Sequence, residues 1–495
     1  MVLPRSMKLF AVVILLSWPT VSSLRPVVGP PPGVLVRISE RGIQYAAKKI
    51  MEWVDLKIDP GMRFSDMKGT FKPAIGKIDY VMTDIKAKNF NWYDLSGDIV
   101  PGVGFRISFH RISVTISGNF KLNYTAAITG TTSNSGTFTL GLSDVSLYVN
   151  ATVGMGDGGL PTVDFPGCSA SIGNIDLDFK FERFNWAAGY FKENIKSAIK
   201  PTLIDGIRKA VRNGPNLMMP EIANNIKPCL DKSCYFLIDL RFTSPPVFGK
   251  GFVETAHQGQ IFWKSDSSQA PFKAQPFKHL PPSLKMADLY VNAYVMNTLL
   301  YAVYQNDLLS YEFTKEDIPP EFRFLVNTSC QSFCIGTIFK DVFGPYPAQT
   351  VELDAVATKV PVLNVYDNNA YSVSFAGNVT IQIRNSAGIV TTLGVLTLDG
   401  SVVGSALINS EGRVVFIVNQ ILFASASISD KEGKGGNKDV TDMLRSAATN
   451  NLLPKLNEFG QNGFSILSIG KMSANRASLK MIQNAFVLMT DVIYG

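Results

Sequence analysis

Two stretches of alternation constrain this chain more than any other feature. "FRISFHRISVTISGNFKLNYTAAITG" (105–130) and "TFTLGLSDVSLYVNATVGM" (137–155) switch between apolar and polar residues and are rich in Val, Ile, Thr and Phe. A period of two belongs to a strand with one dry face and one wet face. Runs of this length, broken by Gly and Asn turns, predict long antiparallel strands. The β-rich region covers about 62–181. A second one covers about 322–428, with "YSVSFAGNVTIQIRN" (371–385) and "TTLGVLTLDGSVVGSALI" (391–408) as its clearest strands.

Helical patterns stand before and after each β-rich region. In "GIQYAAKKIMEWV" (42–54), Ile43, Ala46, Ala47, Ile50, Met51 and Val54 fall on one face at helical spacing. That face is apolar and partly small, so something bulky can lie close to the backbone. The split expected is that Ile43, Ala47 and Ile50 face a ligand while Met51 and Val54 pack on a sheet. The next stripe, around 185–211, carries Ile195, Ala198 and Ile199, with Pro201 placed to kink or end it. The second half repeats the order. "LKMADLYVNAYVMNTLLYAVYQ" (284–305) reads as a helix with Leu289, Ala293, Met296 and Leu300 on one face. A helix with Pro454 and a closing strand follow its β-rich region. The repeat is one of order, and it implies two similar domains. Between them, 242–283 holds six prolines and no strong period, which predicts an extended connector.

The first residues have a targeting signal's layout. Arg5 and Lys8 precede the apolar run "LFAVVILLSW" (9–18), and Val21 and Ser23 suit a cut after residue 23. About ten apolar residues are too few to span a bilayer. Export agrees with four sequons, at Asn123, Asn150, Asn327 and Asn378. It also fits disulfides among the five cysteines. Cys330 and Cys334 are close enough for a local bridge. Cys168 is expected to pair with Cys229 or Cys234, leaving one cysteine over.

No motif supports catalysis. "GMGDGG" (154–159) has spaced glycines but strands on both sides, which suits a hairpin turn rather than a nucleotide loop. His110, His257 and His279 stand in no metal-binding spacing, and no nucleophile elbow occurs. No cofactor, no metal and no catalytic residue is expected. The net charge of +7 is carried by the first half. Within it, Lys57, Arg63, Lys68, Lys72, Lys77, Lys86 and Lys88 outnumber Asp59, Asp66, Asp79 and Asp84. Gathered at one tip, they would attract an anionic lipid surface. In an exported chain with few stacking aromatics among its basic residues, nucleic acid is a poor alternative, and none is expected as a partner.

Several stretches together resemble the bactericidal permeability-increasing and lipopolysaccharide-binding protein family. They are "PPGVLVRISERGIQYA" (31–46), "IVPGVGFRISFHRISVTISGNFKL" (99–122), Cys168, Trp186 and the ending "NAFVLMTDVIYG" (484–495). The resemblance covers almost all of the chain after the signal. It implies an α+β fold, a boomerang-shaped pair of barrel domains joined by a central sheet. Each barrel is a highly twisted antiparallel sheet with two long helices. On this plan 1–23 is the signal peptide and 24–241 the first lipid-binding barrel. Residues 242–283 are the connector and 284–495 the second barrel, its last strand returning to the central sheet.

The resemblance further implies a secreted, extracellular, monomeric glycoprotein of innate defence. Phospholipid would fill apolar pockets lined by Ile43, Ala46, Ala47, Ile50, Ile195, Ala198, Ile199, Leu289, Ala293, Met296 and Leu300. The seven basic residues would form a tip for lipopolysaccharide or an anionic bacterial membrane. Two departures stand out. The family's second cysteine is missing from "LIDGIRKAV" (203–211), and the family's lysine-rich turn reads here "KLNYTAAITGTTSNSG" (121–136), with one lysine and a sequon. These leave extracellular phospholipid carriage without an antibacterial role as the alternative.

Overall fold

The computed structural model describes residues 30–55, most of 66–181, a few positions within 201–205, most of 226–430, and most of 445–465 and 472–494. The expected signal peptide, 1–23, lies outside the described residues, as do Lys57, Arg63, Ile195, Ala198 and Ile199.

Strand β1 (Val34–Ser39) runs straight into helix α1 (Glu40–Asp55). Ser39 caps the helix, its Oγ accepting from the Gly42 amide at 3.3 Å, and Glu40 sits in the first turn, where a carboxylate suits the helix dipole. Then come β2 (Met67–Phe71), β3 (Lys77–Asn91), β4 (Asp94–Val100), β5 (Gly104–Ala126), β6 (Gly130–Met155) and β7 (Pro161–Phe181). Next are β8 (Phe236–Ile238), β9 (Phe242–Gly249), β10 (Phe252–His257), β11 (Ile261–Trp263) and β12 (Ala287–Asn292). Helix α2 (Ala293–Gln305) opens the second half. It leads to β13 (Ser310–Phe313), β14 (Thr350–Ala357), β15 (Val362–Tyr366), β16 (Ala370–Arg384), β17 (Val390–Ile408) and β18 (Arg413–Asp430). Helix α3 (Leu453–Gln461), β19 (Phe464–Ser465), β20 (Met472–Ile482) and β21 (Ala485–Tyr494) close the chain.

Three large antiparallel sheets result. The first has the order β2-β3-β5-β6-β7, with β4 beside the start of β5. The second is β13-β14-β16-β17-β18-β19, with β15 beside β16. The central sheet, β20-β21-β12-β1-β10-β9, takes strands from both halves and from both ends of the described chain. In the first sheet Asp84, Arg111 and Asp144 adopt φ of 52°, 53° and 52° where the strand register shifts. Each is a bulge that bends its strand and increases its twist, so the sheet curls. The inner face of that curl is continuous core, with Ile78, Phe138, Leu140 and Leu177 almost wholly buried.

Two sequence expectations change here. Residues 242–283 are not all connector, because β9, β10 and β11 form within them. Pro245 and Pro246 fall in β9, an edge strand, where a missing N–H breaks no second ladder. The helix expected over 284–305 begins only at Ala293. Asn292 caps it, its side chain accepting from the Tyr294 amide at 2.9 Å. Before it, "ADLYVN" alternates as β12, burying Asp288, Tyr290 and Asn292. Leu289 is therefore a strand residue.

The remainder of the connector lies along the central sheet and is fastened by a buried charge cluster. Arg37 of β1 pairs with Glu254 of β10 at 2.7 Å, lies 3.9 Å from Asp288 of β12, and donates to the Leu280 carbonyl at 2.7 Å. Its guanidinium stands over the rings of Phe252 and Tyr290. Burial opposes ionisation of Glu254, but the hydrogen bond from His279 and the charge of Arg37 outweigh it and hold the carboxyl below its ordinary range.

Candidate functional site

The small face of α1 lies against strand β4. A methyl built on Gly97 would stand 3.4 Å from the Ala47 Cβ and 3.5 Å from Ile43. Ile43 is buried in a cluster with Ile99, Phe105, Ala151 and Val253. Ile43 and Ala47 therefore pack on the sheet, which corrects the expectation that both face a ligand. Small residues let the helix backbone come close to the strand, and glycine on the strand completes the fit. Ala46 is half-buried, and the side chains of Ile50, Met51 and Val54 lie outside the described residues.

The other candidate pocket residues do not converge. Ala293 and Leu300 join one cluster, with Val365, Tyr371, Ala406 and Met481. Leu289 packs in a different cluster, beside Val34, Val36, Tyr294 and Val295. Met296 is 36% exposed, on the outer side of α2.

One apolar opening among the described residues carries no mark in the sequence. A groove of about 430 Å³ lies between β17, β18 and α3, lined by Leu407, Asn409, Val415, Ile417, Asn457 and Gln461. Asn457 fixes one wall. Its Oδ1 accepts from the Val418 amide at 2.7 Å and its Nδ2 donates to the Val418 carbonyl at 2.9 Å, so α3 docks on β18 like an added strand. Gly460 brings the helix close to the Phe416 carbonyl. The alternation of "GSVVGSALI" marked β17 as a strand, but alternation alone does not say which side of a strand stays uncovered. A second depression of about 310 Å³, between Asn91, Thr115, Gly141, Asn174 and Asp176, is polar and lies over the bulges of the first sheet.

The described basic residues are spread along β2 and β3 rather than gathered at a single tip. Lys77 pairs with Asp79 and Lys86 with Asp84, both at 2.9 Å. Hydrogen bonds from Thr70 and Lys77 hold the Asp79 carboxyl below its usual range. Lys77 and Lys86 are nine positions apart on β3, about 30 Å along a strand. Lys68 and Lys72 are exposed at the β2 end, and the side chain of Lys88 lies outside the described residues. One grouping was not foreseen. Lys68 pairs across to Val81, and Val81 to Lys121. Directly opposed residues share a face, so two lysines flank Val81, which is 40% exposed.

The cysteines correct another expectation. Cys229 bridges Cys234, with Cα atoms 4.9 Å apart, and Cys330 bridges Cys334 at 6.0 Å. Cys168 sits on β7 opposite Val149 and is in neither bridge. Five residues of chain bring Cys229 to Cys234, whereas Cys168 is held in the first sheet. Among the sequons, Asn150 is exposed on β6, Asn123 accepts from Ser133 at 2.7 Å, and Asn378 accepts from Thr397 at 3.0 Å. Asn327 is half-buried next to the buried Thr328. "GMGDGG" forms the end of β6 and the turn into β7, as its flanking strands require. Among the described residues no cluster of His, Cys, Asp and Glu could hold a metal ion, and no helix is long and apolar enough to cross a membrane.

Two family models match, the N-terminal domain of the LBP / BPI / CETP family over residues 45–213 and its C-terminal domain over 231–494. The chain belongs to the LBP / BPI / CETP family. It is 22% identical over 467 residues to a bactericidal permeability-increasing protein of Sebastes schlegelii, covering 93% of this chain and 95% of that one. It is 22% identical to a lipopolysaccharide-binding protein of Mus musculus over 348 residues, 70% of each chain. A crystal structure of lipopolysaccharide binding protein superposes with a TM-score of 0.53 at 19% identity, covering 94% of this chain and 99% of that one. The family's two-domain fold, two curled antiparallel sheets with a central sheet between them, is the fold of this chain.

Proposed function

We propose that this chain is a secreted lipid-binding protein of innate defence. It holds phospholipid acyl chains in apolar space beside its curled sheets, and it meets lipopolysaccharide or another anionic bacterial lipid through basic residues of the first sheet. The observation that carries this reading is the groove under α3, where exposed Leu407 and half-buried Ile417 stand over buried Val415 in a member of this family. Two acyl chains of ordinary length hold about 30 methylenes, and moving them into water costs about 24 kcal/mol. Apolar walls with few polar groups offset that cost, so such a site needs no sequence motif. Lys68 and Lys121 on either side of Val81 are the best-placed cations for an anionic headgroup. On this reading the protein is a monomer, is no enzyme, uses no cofactor and binds no nucleic acid.

A second reading is phospholipid carriage without antibacterial action. The pairing of Lys77 with Asp79 and of Lys86 with Asp84 favours it, because each pair removes a cation from the lipid-binding face. Binding of purified protein to immobilised lipopolysaccharide over a salt series separates the two. The first reading expects binding at low salt that weakens as salt screens the lysines. No binding at low salt, in protein that still carries phospholipid, leaves carriage alone.

A further inference from the structure

A short three-stranded piece sits beside helix α2. Its middle and last strands are β8 and β11, joined with Phe236 opposite Trp263. Residues 226–230 run along the other edge of β8, where the Leu230 amide donates to the Phe236 carbonyl at 2.9 Å. Two tight connections close the piece at one end. One is the Cys229–Cys234 disulfide loop, and the other is the turn from Trp263 to Asp266, in which the Asp266 amide donates to the Trp263 carbonyl at 2.9 Å.

Apolar side chains collect at that end. Tyr235 stacks on Trp263 with ring centroids 5.1 Å apart and planes within 8° of parallel. Phe236 meets the same indole edge-on at 5.0 Å and continues inward to the core beside Val295 and Leu299. The outer members stay open to solvent: Tyr235 is 55% exposed and Leu230 50%. Two exposed lysines lie on the same piece, Lys264 at that end and Lys227 further from it, at the level of Asp239. Lys227 lies over the Phe262 ring at 5.4 Å, and Lys264 follows Trp263, its amide donating to the Tyr235 carbonyl. Neither lysine forms an ion pair among the described residues. The carboxylate of nearby Asp266 is turned back to accept from the Ser268 amide at 2.9 Å.

We propose that this disulfide-braced tip, presenting Leu230, Tyr235 and Trp263 with Lys264 beside them and Lys227 further along the same piece, docks the protein on an anionic phospholipid surface. Tyr and Trp place an apolar body and a polar edge at the level of lipid headgroups, and lysine ammoniums match the headgroup charge. The brace matters because a fixed cluster loses little conformational freedom on docking. The tip would bring the lipid-holding grooves to a membrane, so the proposal rests on the lipid-binding reading above.

The test uses the full secreted chain with vesicles of phosphatidylcholine containing one-fifth phosphatidylserine, and with vesicles of phosphatidylcholine alone. Partition is read by sedimentation. A Leu230→Ser/Tyr235→Ser variant is expected to lose at least tenfold in partition on both kinds of vesicle. A Lys227→Gln/Lys264→Gln variant is expected to lose about fivefold per lysine on the anionic vesicles alone. The lysine variant removes no apolar side chain of the cluster, so it keeps the proposal testable if the first variant folds poorly. Partition of both variants within twofold of wild type overturns the proposal. So does a loss of self-association or protein binding in the variants with vesicle partition unchanged, which would make the tip a protein contact. Bound phospholipid is measured in the same wild-type preparation. Its absence defeats the lipid-binding reading, whereas its presence with unaltered variant partition defeats only the docking tip.

Discussion

His257 should make the fold sensitive to mild acid. It lies in β10 and is 1% exposed. A carbonyl can only accept, so the contact of Nδ1 with the Leu240 carbonyl at 2.8 Å places the proton on Nδ1. Nε2 then accepts from the Thr255 hydroxyl at 2.9 Å. Burial is the largest influence and brings the imidazole from its ordinary 6.5 to about 4, against the opposing pull of the Leu240 carbonyl and the Asp239 charge. The folded state thus keeps His257 neutral while the unfolded chain takes up a proton below about pH 6.5. Stability from this group is complete above that pH and is lost as pH falls through about 4. With 1.36 kcal/mol per pKa unit, the loss is about 2 kcal/mol between pH 7.5 and 5.0, and it reaches about 3 kcal/mol below pH 4. The assay is guanidinium denaturation at pH 7.5 and 5.0 of the wild type and of His257→Gln, which keeps a neutral hydrogen-bonding side chain. Groups that both proteins share, such as Glu254, cancel in the comparison. The wild type should lose about 2 kcal/mol more than the variant over that interval. Equal losses would refute the assignment.

Three more outcomes follow from the packing. Arg37→Met leaves Glu254 and Asp288 without their cation, and should cost about 3–5 kcal/mol, read as a lowered thermal midpoint. Ala47→Trp forces an indole between α1 and Gly97, and should destabilise by about 1–3 kcal/mol even in protein stripped of lipid; an unchanged midpoint would mean that this face does not meet the sheet. Non-reducing denatured protein should take up one maleimide, on Cys168, and peptide mapping should recover Cys229 with Cys234 and Cys330 with Cys334.

What could be read from the sequence divides along physical lines. The alternation from Phe105 to Met155 sets both the strands and their inner faces, because a period of two leaves no other way to bury Ile116, Phe120, Phe138 and Leu140 together. Helix α1 was equally plain. The partner of its small face was not, since a glycine on a distant strand leaves no periodic mark beside the helix it receives. Leu289 misled because one turn of apparent helical spacing also fits a strand that runs into a helix, and the deciding signal was the Asn292 cap. The prolines of 242–283 read as a connector because sequence does not distinguish an edge strand from a loop. The row Lys68, Val81 and Lys121 depends on register between strands far apart in the chain, so the basic run over 57–88 does not contain Lys121. The groove under α3 stayed hidden because whether Leu407 and Ile417 are covered depends on where α3 docks.

The central claim is that apolar space in this fold holds lipid. The decisive measurement is native mass spectrometry of freshly purified protein, followed by solvent extraction and identification of the extract. At least one phospholipid is expected on each chain, released on denaturation, and reduced when Ile417→Trp fills the groove beside α3. Protein that is folded and carries no lipid would contradict it.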